Sequence, residues 1–225
     1  MSQLRRFLPV IVAAGSVFIG LIGCNGAIAA NKVPDPKVDE PVAATKSQEK
    51  VVFAGGCFWG IQAVFEHVKG VTQATAGYSG GEAKNPSYED VSTGTTGHAE
   101  SVEVVYDPSQ VTLGQLLKVF FSVAHDPTEL NHQGPDDGTQ YRSAIFYTNA
   151  DQQRIAQAYV DQLTQAKVFS GPIVTQIAAE KSFYRAEEYH QDYAVHHPYS
   201  PYIVMNDLPK VANLKKECPA LYVSR

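Results

Sequence analysis

Residues 55–60, Gly-Gly-Cys-Phe-Trp-Gly, constrain the fold of this chain more than any other segment. The apolar run 51–54 leads into them, and apolar residues follow at spacings of three and four, which predicts a strand, a tight turn and a helix. Cys57 then lies at the N-terminus of that helix, where free N–H groups and the helix dipole favour an anion. Because the thiolate is the reactive form of cysteine, this position predicts a nucleophile whose thiol ionises easily. A buried structural cysteine is the commoner alternative, but the glycines leave space around the sulfur and the aromatic residues would form a pocket wall.

Strand and helix patterns alternate through the rest of the chain. Strands are predicted at residues 50–54, 72–78, 100–106, 141–147 and 173–177. Helices are predicted at residues 58–68 and 151–166, and a further helix is predicted to begin at Thr112, its N-cap. Segments 82–97, 124–140 and 186–193 are polar and are predicted as ordered loops or irregular structure. This order predicts an α+β (α/β layered) fold, with helices packed on a mixed β-sheet.

Length and charge limit the class of protein. The 225 residues carry a net charge of −5, and the basic residues are scattered rather than gathered into a stripe. Nucleic-acid binding is therefore disfavoured. Once the N-terminal segment is set aside, the chain is long enough for one domain with its own core.

The N-terminus resembles an export signal. Arg5 and Arg6 precede an apolar run that ends near Gly23, as in a secretory peptide, and the run is short and rich in small residues for a membrane span. Leu-Ile-Gly-Cys, ending at Cys24, fits a lipoprotein cleavage site, whereas Ala-Ile-Ala, ending at Ala29, fits ordinary signal-peptidase cleavage. We favour the first, which predicts a periplasmic or cell-envelope protein anchored through a lipid on Cys24.

Three regions follow from this. Residues 1–23 are predicted as the signal peptide, and residues 24–49, which are proline-rich and lack apolar periodicity, as a flexible linker. Residues 50–225 are predicted as the folded domain. With Cys24 lost or lipidated, only Cys57 and Cys218 remain, so the chain is not a disulfide scaffold. Either the two form a pair or one is a reactive thiol.

Six segments resemble, in the same order, segments of the A-type peptide methionine sulfoxide reductases. They are residues 55–60, 77–81, 85–88, 96–100, 138–143 and 188–193. The resemblance runs from about residue 51 to the stretch 203–208 and so covers nearly all of the predicted domain. The resemblance implies a ferredoxin-like core and the thiol-dependent reduction of methionine-S-sulfoxide, free or in proteins, which reverses one oxidation step of methionine.

The resemblance also implies the roles of two residues. Cys57 matches the nucleophile that attacks the sulfoxide sulfur and becomes a sulfenic acid. Glu100 matches the general acid that protonates the sulfoxide oxygen. A carboxylic acid that donates a proton near neutral pH needs a raised pKa, which an apolar pocket provides.

Five further residues match the family's substrate site. Tyr88 and Tyr141 match tyrosines that hydrogen-bond the sulfoxide oxygen, and Asp136 matches an aspartate of the site, with the register open by one residue. Phe58 and Trp59 would form the wall against which the S-methyl group packs, since sulfur and methyl groups pack well on aromatic rings. Taken singly, aromatic residues of this kind more often belong to a core.

Turnover needs a second thiol. Cys218 is the one candidate in the chain for a resolving cysteine, and it lies in a sequence that looks like a helix end, without the mobile, glycine-flanked tail seen in many family members. The sequence leaves open whether Cys218 resolves the sulfenic acid or an external thiol does. Thioredoxin or a small dithiol is the expected reductant, with no bound cofactor, and the protein is expected to be a monomer.

Three other functions compete with this one. A cysteine hydrolase needs a paired histidine, and no histidine stands at a known hydrolase spacing from Cys57. A di-iron site needs two Glu-x-x-His pairs and two further glutamates, all on helices. Glu187 and His190 show this spacing, but they lie in a segment predicted as irregular, so no metal is expected. A non-enzymatic peptide-binding lipoprotein would retain its function without Cys57.

Overall fold

The computed structural model describes residues 32–225. The predicted signal peptide and Cys24 lie outside the described residues. Within residues 32–225, no helix combines the length and the apolar character needed to cross a membrane.

The described part of the chain is built on a six-stranded mixed sheet with the strand order β7-β6-β1-β3-β2-β8. Neighbouring strands are antiparallel, except that β6 and β7 are parallel. The strands of this sheet are β1 (Glu49–Ala54), β2 (Val71–Ser79), β3 (Ala99–Tyr106), β6 (Ala144–Tyr147), β7 (Gln176–Ala179) and β8 (Phe183–Arg185). A separate two-stranded hairpin consists of β4 (His132–Gln133) and β5 (Asp136–Asp137).

Helices pack on this sheet. The α-helices are α1 (Phe58–Glu66), α2 (Tyr88–Ser92), α3 (Leu113–Val119), α4 (Ala150–Gln165), α5 (Tyr193–His196) and α6 (Leu208–Glu217). A π-helical turn, Phe120–Ala124, continues α3, and a second one, Ile203–Asp207, leads into α6. Two 3₁₀ turns cover Thr139–Tyr141 and Glu188–His190. The predicted N-cap Thr112 is confirmed, because its Oγ1 accepts the Gln115 N–H (3.3 Å) while Gln115 Oε1 accepts the Thr112 N–H (3.0 Å).

The strands β1, β2, β3 and β6 with the helices α1 and α3 form the succession β-α-β-β-α-β of a ferredoxin-like core. The predicted α+β class, with helices packed on a mixed sheet, is confirmed. Phe53 of β1 stacks on Phe65 of α1 and on Phe120, with ring centroids 4.9 and 4.8 Å apart. The core therefore holds α1 rigidly on the sheet, and with it the turn that carries Cys57.

Two of the predicted loops contain regular structure. Segment 82–97 includes helix α2, whose N-cap Ser87 forms a reciprocal capping box with Asp90. Segment 124–140 includes the β4–β5 hairpin. The strand predicted at 173–177 lies later, at Gln176–Ala179, and residues 141–143 precede β6 rather than belong to it.

The segment predicted as a flexible linker is bound to the domain over its described part, which corrects that prediction. It has no apolar periodicity, yet its polar groups have partners: Asp39 accepts the Gly114 N–H (2.8 Å) and Glu40 accepts the Leu113 N–H (2.8 Å) at the start of α3. Tyr159 donates to the Pro34 carbonyl (2.7 Å), and Val33 is buried. Composition predicted flexibility, but hydrogen bonds to a helix N-terminus hold the segment in place.

Candidate active site

Cys57 occupies the N-cap position of α1, directly after β1. The turn needs glycines because Gly56 has a φ of +95° and a Cβ there would lie 2.6 Å from Gln133. The Trp59 backbone N–H lies near enough to the Cys57 sulfur to lower the pKa of its thiol. The predicted strand, turn and helix are thus present, and the thiol lies at the helix N-terminus as expected.

The protonation state of Cys57 differs from the sequence expectation. Burial raises the pKa of the Cys57 thiol well above its usual range, and the carboxyls of Glu100 and Asp207 raise it further. The Trp59 N–H and Lys210 lower it, but by less. Because desolvation outweighs the helix dipole here, the resting site holds a neutral thiol.

Glu100 reaches the same helix end from β3. Its side chain is 3% exposed, and its Oε2 accepts the Phe58 N–H at 3.0 Å. Burial raises the pKa of Glu100 to about 8, and Asp136 and Asp207 add to this, against the lowering effect of the Phe58 N–H. A carboxyl group that keeps its proton at neutral pH therefore stands beside the Cys57 thiol.

Tyr88 and Tyr141 lie in the same site. Charges on Glu100 and Cys57 act on both phenols, and burial is the largest cause of the raised pKa of each. Both hydroxyls therefore remain protonated and able to donate. The two tyrosines come from different elements, α2 and a 3₁₀ turn.

Asp136 is the aspartate that the structure brings into the site, whereas Asp137 is exposed. The sequence named Asp136 and left the register open by one residue. Asp136 accepts a hydrogen bond from the Tyr202 hydroxyl. Its charge also contributes to the raised pKa of Glu100.

Phe58 and Trp59 form an aromatic wall together with residues from the C-terminal half of the chain. Trp59 stacks on Tyr193 at 3.8 Å between ring centroids and meets Tyr202 edge-on at 5.8 Å. Phe58 packs against His190 at 5.0 Å. An apolar group such as S-methyl fits a wall of this kind.

His190 is buried within this wall. Its Nδ1 accepts the Trp59 Nε1–H at 3.2 Å, and its Nε2 has no partner. Burial lowers the pKa of His190, so that the ring is neutral and Nε2 carries the proton. The 3₁₀ turn that carries His190 is fixed by Glu187, which accepts from the Tyr78 hydroxyl (2.8 Å) and the Tyr88 N–H (2.9 Å).

Sequence reasoning missed several residues at the site. Tyr202, Asp207 and Lys210 lie more than 140 residues after Cys57 and carry no motif that would link them to it. Tyr193 ends segment 188–193, but no role was assigned to it. Only the resemblance of segment 188–193 pointed to this region. A signal was nevertheless present in Lys210, a cation in the first turn of α6, where the helix dipole disfavours one.

Cys218 is not paired with Cys57, and both thiols are free. Cys218 caps the C-terminus of α6, as expected for a helix end, and its sulfur lies 3.8 Å from Ser122 Oγ in the wall of a cavity of about 690 Å³. The chain after Cys218 is hydrogen-bonded to the C-terminal end of α1 through the backbone. The Lys69 N–H donates to the Leu221 carbonyl (2.6 Å), and the Val223 N–H donates to the His67 carbonyl (2.8 Å). Cys57 and His67 lie about 15 Å apart along the axis of α1.

No group of three or more His, Cys, Asp or Glu side chains within residues 32–225 is placed to hold a metal ion. The chemistry that this site offers is instead that of a buried thiol beside a protonated carboxyl, two phenols and an apolar wall. Such a site can attack an electrophilic sulfur and protonate the oxygen that it carries.

Comparison with known proteins agrees with this chemistry. The sequence model of the family described as peptide methionine sulfoxide reductase matches residues 49–220. The chain is 63% identical to peptide methionine sulfoxide reductase MsrA 2 of Mesorhizobium japonicum over 80% of this chain and 92% of that protein. It is 52% identical to MsrA 2 of Synechocystis over 82% of this chain and 87% of that protein.

Solved structures show the same fold. The chain is similar to methionine sulfoxide reductase A of Corynebacterium diphtheriae, with a TM-score of 0.61 and 38% identity over 71% of this chain and 80% of that one. It is also similar to reduced Mxr1 of Saccharomyces cerevisiae, with a TM-score of 0.63 and 34% identity over 73% of this chain and 92% of that one. The chain therefore belongs to the A-type peptide methionine sulfoxide reductases.

Proposed function

We propose that Cys57 and Glu100 carry out, in this chain, the thiol-dependent reduction of methionine-S-sulfoxide that is the activity of its family. The observation that carries this assignment is the contact at the start of α1, where Glu100 Oε2 accepts the Phe58 N–H at 3.0 Å beside the Cys57 thiol. Because the pKa of Glu100 is about 8, this carboxyl is protonated at neutral pH. A proton donor and a nucleophile thus meet at one helix turn.

The step balances within the site. The Cys57 sulfur attacks the sulfoxide sulfur, Glu100 gives its proton to the sulfoxide oxygen, and the thiol proton of Cys57 replaces it on Glu100. The oxygen passes to Cys57, so the products are methionine and a Cys57 sulfenic acid. The substrate sulfur is reduced by two electrons, and the Cys57 sulfur is oxidised by two.

The remaining side chains orient the substrate. The phenols of Tyr88 and Tyr141 donate to the sulfoxide oxygen, and Asp136 fixes Tyr202 at the edge of the aromatic wall. Phe58 and Trp59 receive the S-methyl group. These contacts hold the sulfoxide in one orientation, which is the basis for preferring one epimer.

Turnover requires reduction of the sulfenic acid. A thiol attacks the Cys57 sulfur, releases water and forms a mixed disulfide, and a second thiol then frees Cys57. We propose a thioredoxin-like dithiol or a small thiol as this reductant, as the family resemblance implies. Cys218 stays a candidate resolving thiol, but its position requires the C-terminal segment to move before the two sulfurs can meet.

The N-terminal sequence supports a location in the cell envelope. The charged and apolar N-terminal segment and the Leu-Ile-Gly-Cys site at Cys24 support export and a lipid anchor in the cell envelope, with the enzyme acting there as a monomer on oxidised proteins and free methionine sulfoxide. Fractionation of cells that express the chain or its Cys24→Ser variant tests this. Membrane association of the first and its loss in the second are expected. An equal distribution of the two contradicts the anchor.

A single-turnover experiment tests the activity. With one equivalent of methionine-S-sulfoxide and no reductant, we expect one methionine per chain and a gain of one oxygen at Cys57 by peptide mass spectrometry. The R epimer is the matched control and should give no methionine. Cys57→Ser should abolish the product, whereas unchanged function in that variant would support a binding protein instead.

A further inference from the structure

Asp207 and Lys210 form an ion pair that the chemistry above does not use. Asp207 is completely buried at the end of the π-helical turn before α6, and its Oδ1 lies 3.3 Å from Lys210 Nζ. Its second oxygen, Oδ2, is buried without a hydrogen-bond partner. Burying a carboxylate with one oxygen unpaired costs folding free energy.

The pair packs against the helix that carries Cys57. Gly60 is the third residue of α1, and a Cβ at this position would lie 2.1 Å from Asp207 Oδ1 and 2.8 Å from Lys210 Nζ. Glycine is a poorer helix former than alanine, by about 1 kcal/mol in a helix interior. Here it leaves the space that both charged groups need beside the turn.

The two charges act on the sulfur in opposite directions. The negative charge of Asp207 disfavours a thiolate at Cys57, and the positive charge of Lys210 favours it. Within residues 32–225, the charged and titratable groups that act on Cys57 or on the pair itself are Glu100, Tyr88, Tyr141, Tyr202, Asp136, Asp207 and Lys210. Lys210 is the one cation among them, so removing its charge leaves the thiolate without electrostatic support from a side chain.

We propose that Asp207 and Lys210 are positioning residues that set the charge on the Cys57 sulfur, through an ion pair fitted against Gly60. With both ionised, the pair is neutral overall and the sulfur keeps its proton. When Asp207 takes up a proton, the charge of Lys210 is no longer balanced, and the thiolate is stabilised. Burial raises the pKa of Asp207, against the lowering effect of Lys210, so protonation of this carboxyl is accessible.

This inference rests on the proposed role of Cys57, but it can fail by itself. The probe is iodoacetamide, which reacts with the thiolate, and alkylation is measured at the Cys57 peptide by mass spectrometry between pH 6 and 10. No sulfoxide is needed, so the outcome does not depend on turnover. The variants are Lys210→Gln and Asp207→Asn, with Lys216→Gln, an exposed lysine of the same helix, as the matched control.

We expect Lys210→Gln to move the midpoint of the alkylation profile to higher pH and to slow the reaction at pH 8 by about three- to tenfold, since one pKa unit is a tenfold change in thiolate. Asp207→Asn should move the midpoint to lower pH. Lys210→Arg, which keeps the positive charge, should retain the wild-type profile. A purely structural role would not produce shifts of opposite sign.

The proposal is overturned if Lys210→Gln has the same profile as Lys216→Gln, or if both variants of the pair shift the midpoint in the same direction. Asp207 is buried, so Asp207→Asn is interpreted only if its thermal unfolding remains cooperative. If that variant does not fold, the comparison of Lys210→Gln with Lys216→Gln decides.

Discussion

Glu100 is the residue at which burial and chemistry are most closely connected. A carboxyl in water would be ionised at neutral pH, whereas burial raises the pKa of Glu100 to about 8. The protonated form is the one that can donate to a sulfoxide oxygen. Activity that depends on this proton should therefore be present below pH 8 and decline above it.

Replacing Glu100 by Gln tests this role. The amide cannot give up a proton as an acid, so we expect kcat/KM to fall by about 10²- to 10⁴-fold and the decline above pH 8 to disappear from the remaining activity. Rates with methionine-S-sulfoxide and dithiothreitol between pH 6 and 10 measure both effects. A variant that keeps the wild-type decline above pH 8 would assign that decline to another group.

The same replacement should stabilise the fold at alkaline pH. Since the pKa of Glu100 is raised from 4.5 to about 8 on folding, its contribution is fully present below pH 4.5 and is lost as the pH rises to 8. Glutamine stays neutral, so Glu100→Gln should be more stable than the wild type at pH 8 by about 1 kcal/mol or more. Urea unfolding at pH 5 and pH 8 measures the difference, which should be smaller at pH 5. If the difference between Glu100→Gln and the wild type is the same at pH 5 and pH 8, Glu100 is not protonated in the folded protein.

Sequence reasoning reached Cys57 and Glu100 but not the environment that sets their protonation. The helix N-terminus suggested an easily ionised thiol, and burial together with two carboxyls gives the opposite result. Asp207 could not be found from sequence, because its effect depends on a contact with Gly60 across 147 residues of chain. Local patterns identify reactive residue types, whereas pKa values depend on which distant side chains share the site.

At the scale of elements, the predictions held where periodicity is strong and failed where polar contacts decide. The β1–turn–α1 unit was predictable, since apolar spacing changes there from strand to helix. Helix α2 was missed although its capping box, Ser87 with Asp90, is visible in the sequence. The N-terminal segment was misjudged because its side chains cap a helix that begins more than 70 residues later.

Asp39 provides the test of that segment. Its Oδ1 accepts the Gly114 N–H, and its Oδ2 accepts from Thr112, at the N-terminus of α3, where a negative charge is favoured. Asp39→Ala should lower the free energy of unfolding by about 1–2 kcal/mol and leave kcat unchanged.

Asp35→Ala is the matched control in the same segment. Asp35 makes an exposed ion pair with Lys118, and pairs of this kind contribute little. Urea unfolding of both variants gives the comparison. Equal effects would show that the segment contributes nothing specific at α3.

For the whole molecule, the position of Cys218 decides how the catalytic cycle closes. A disulfide requires the two Cα atoms to come within about 7 Å, whereas the segment after Cys218 is hydrogen-bonded to the end of α1 opposite Cys57. Forming that disulfide would break the bonds of Lys69 and Val223 and expose the buried cavity wall around Cys218. We therefore propose that an external thiol, rather than Cys218, reduces the sulfenic acid.

Cys218→Ser tests this directly. We expect steady-state turnover with dithiothreitol to stay within about twofold of the wild type, because the external thiol attacks the Cys57 sulfenic acid itself and Cys218 takes no part. Mass spectrometry after a single turnover without reductant should find the same oxidised Cys57 in both proteins. A wild-type chain that instead loses two hydrogens and yields a Cys57–Cys218 peptide would show that the C-terminal segment detaches during each cycle. In that case hydrogen exchange at Val223 should increase on oxidation, whereas in the first case it should stay protected in both redox states.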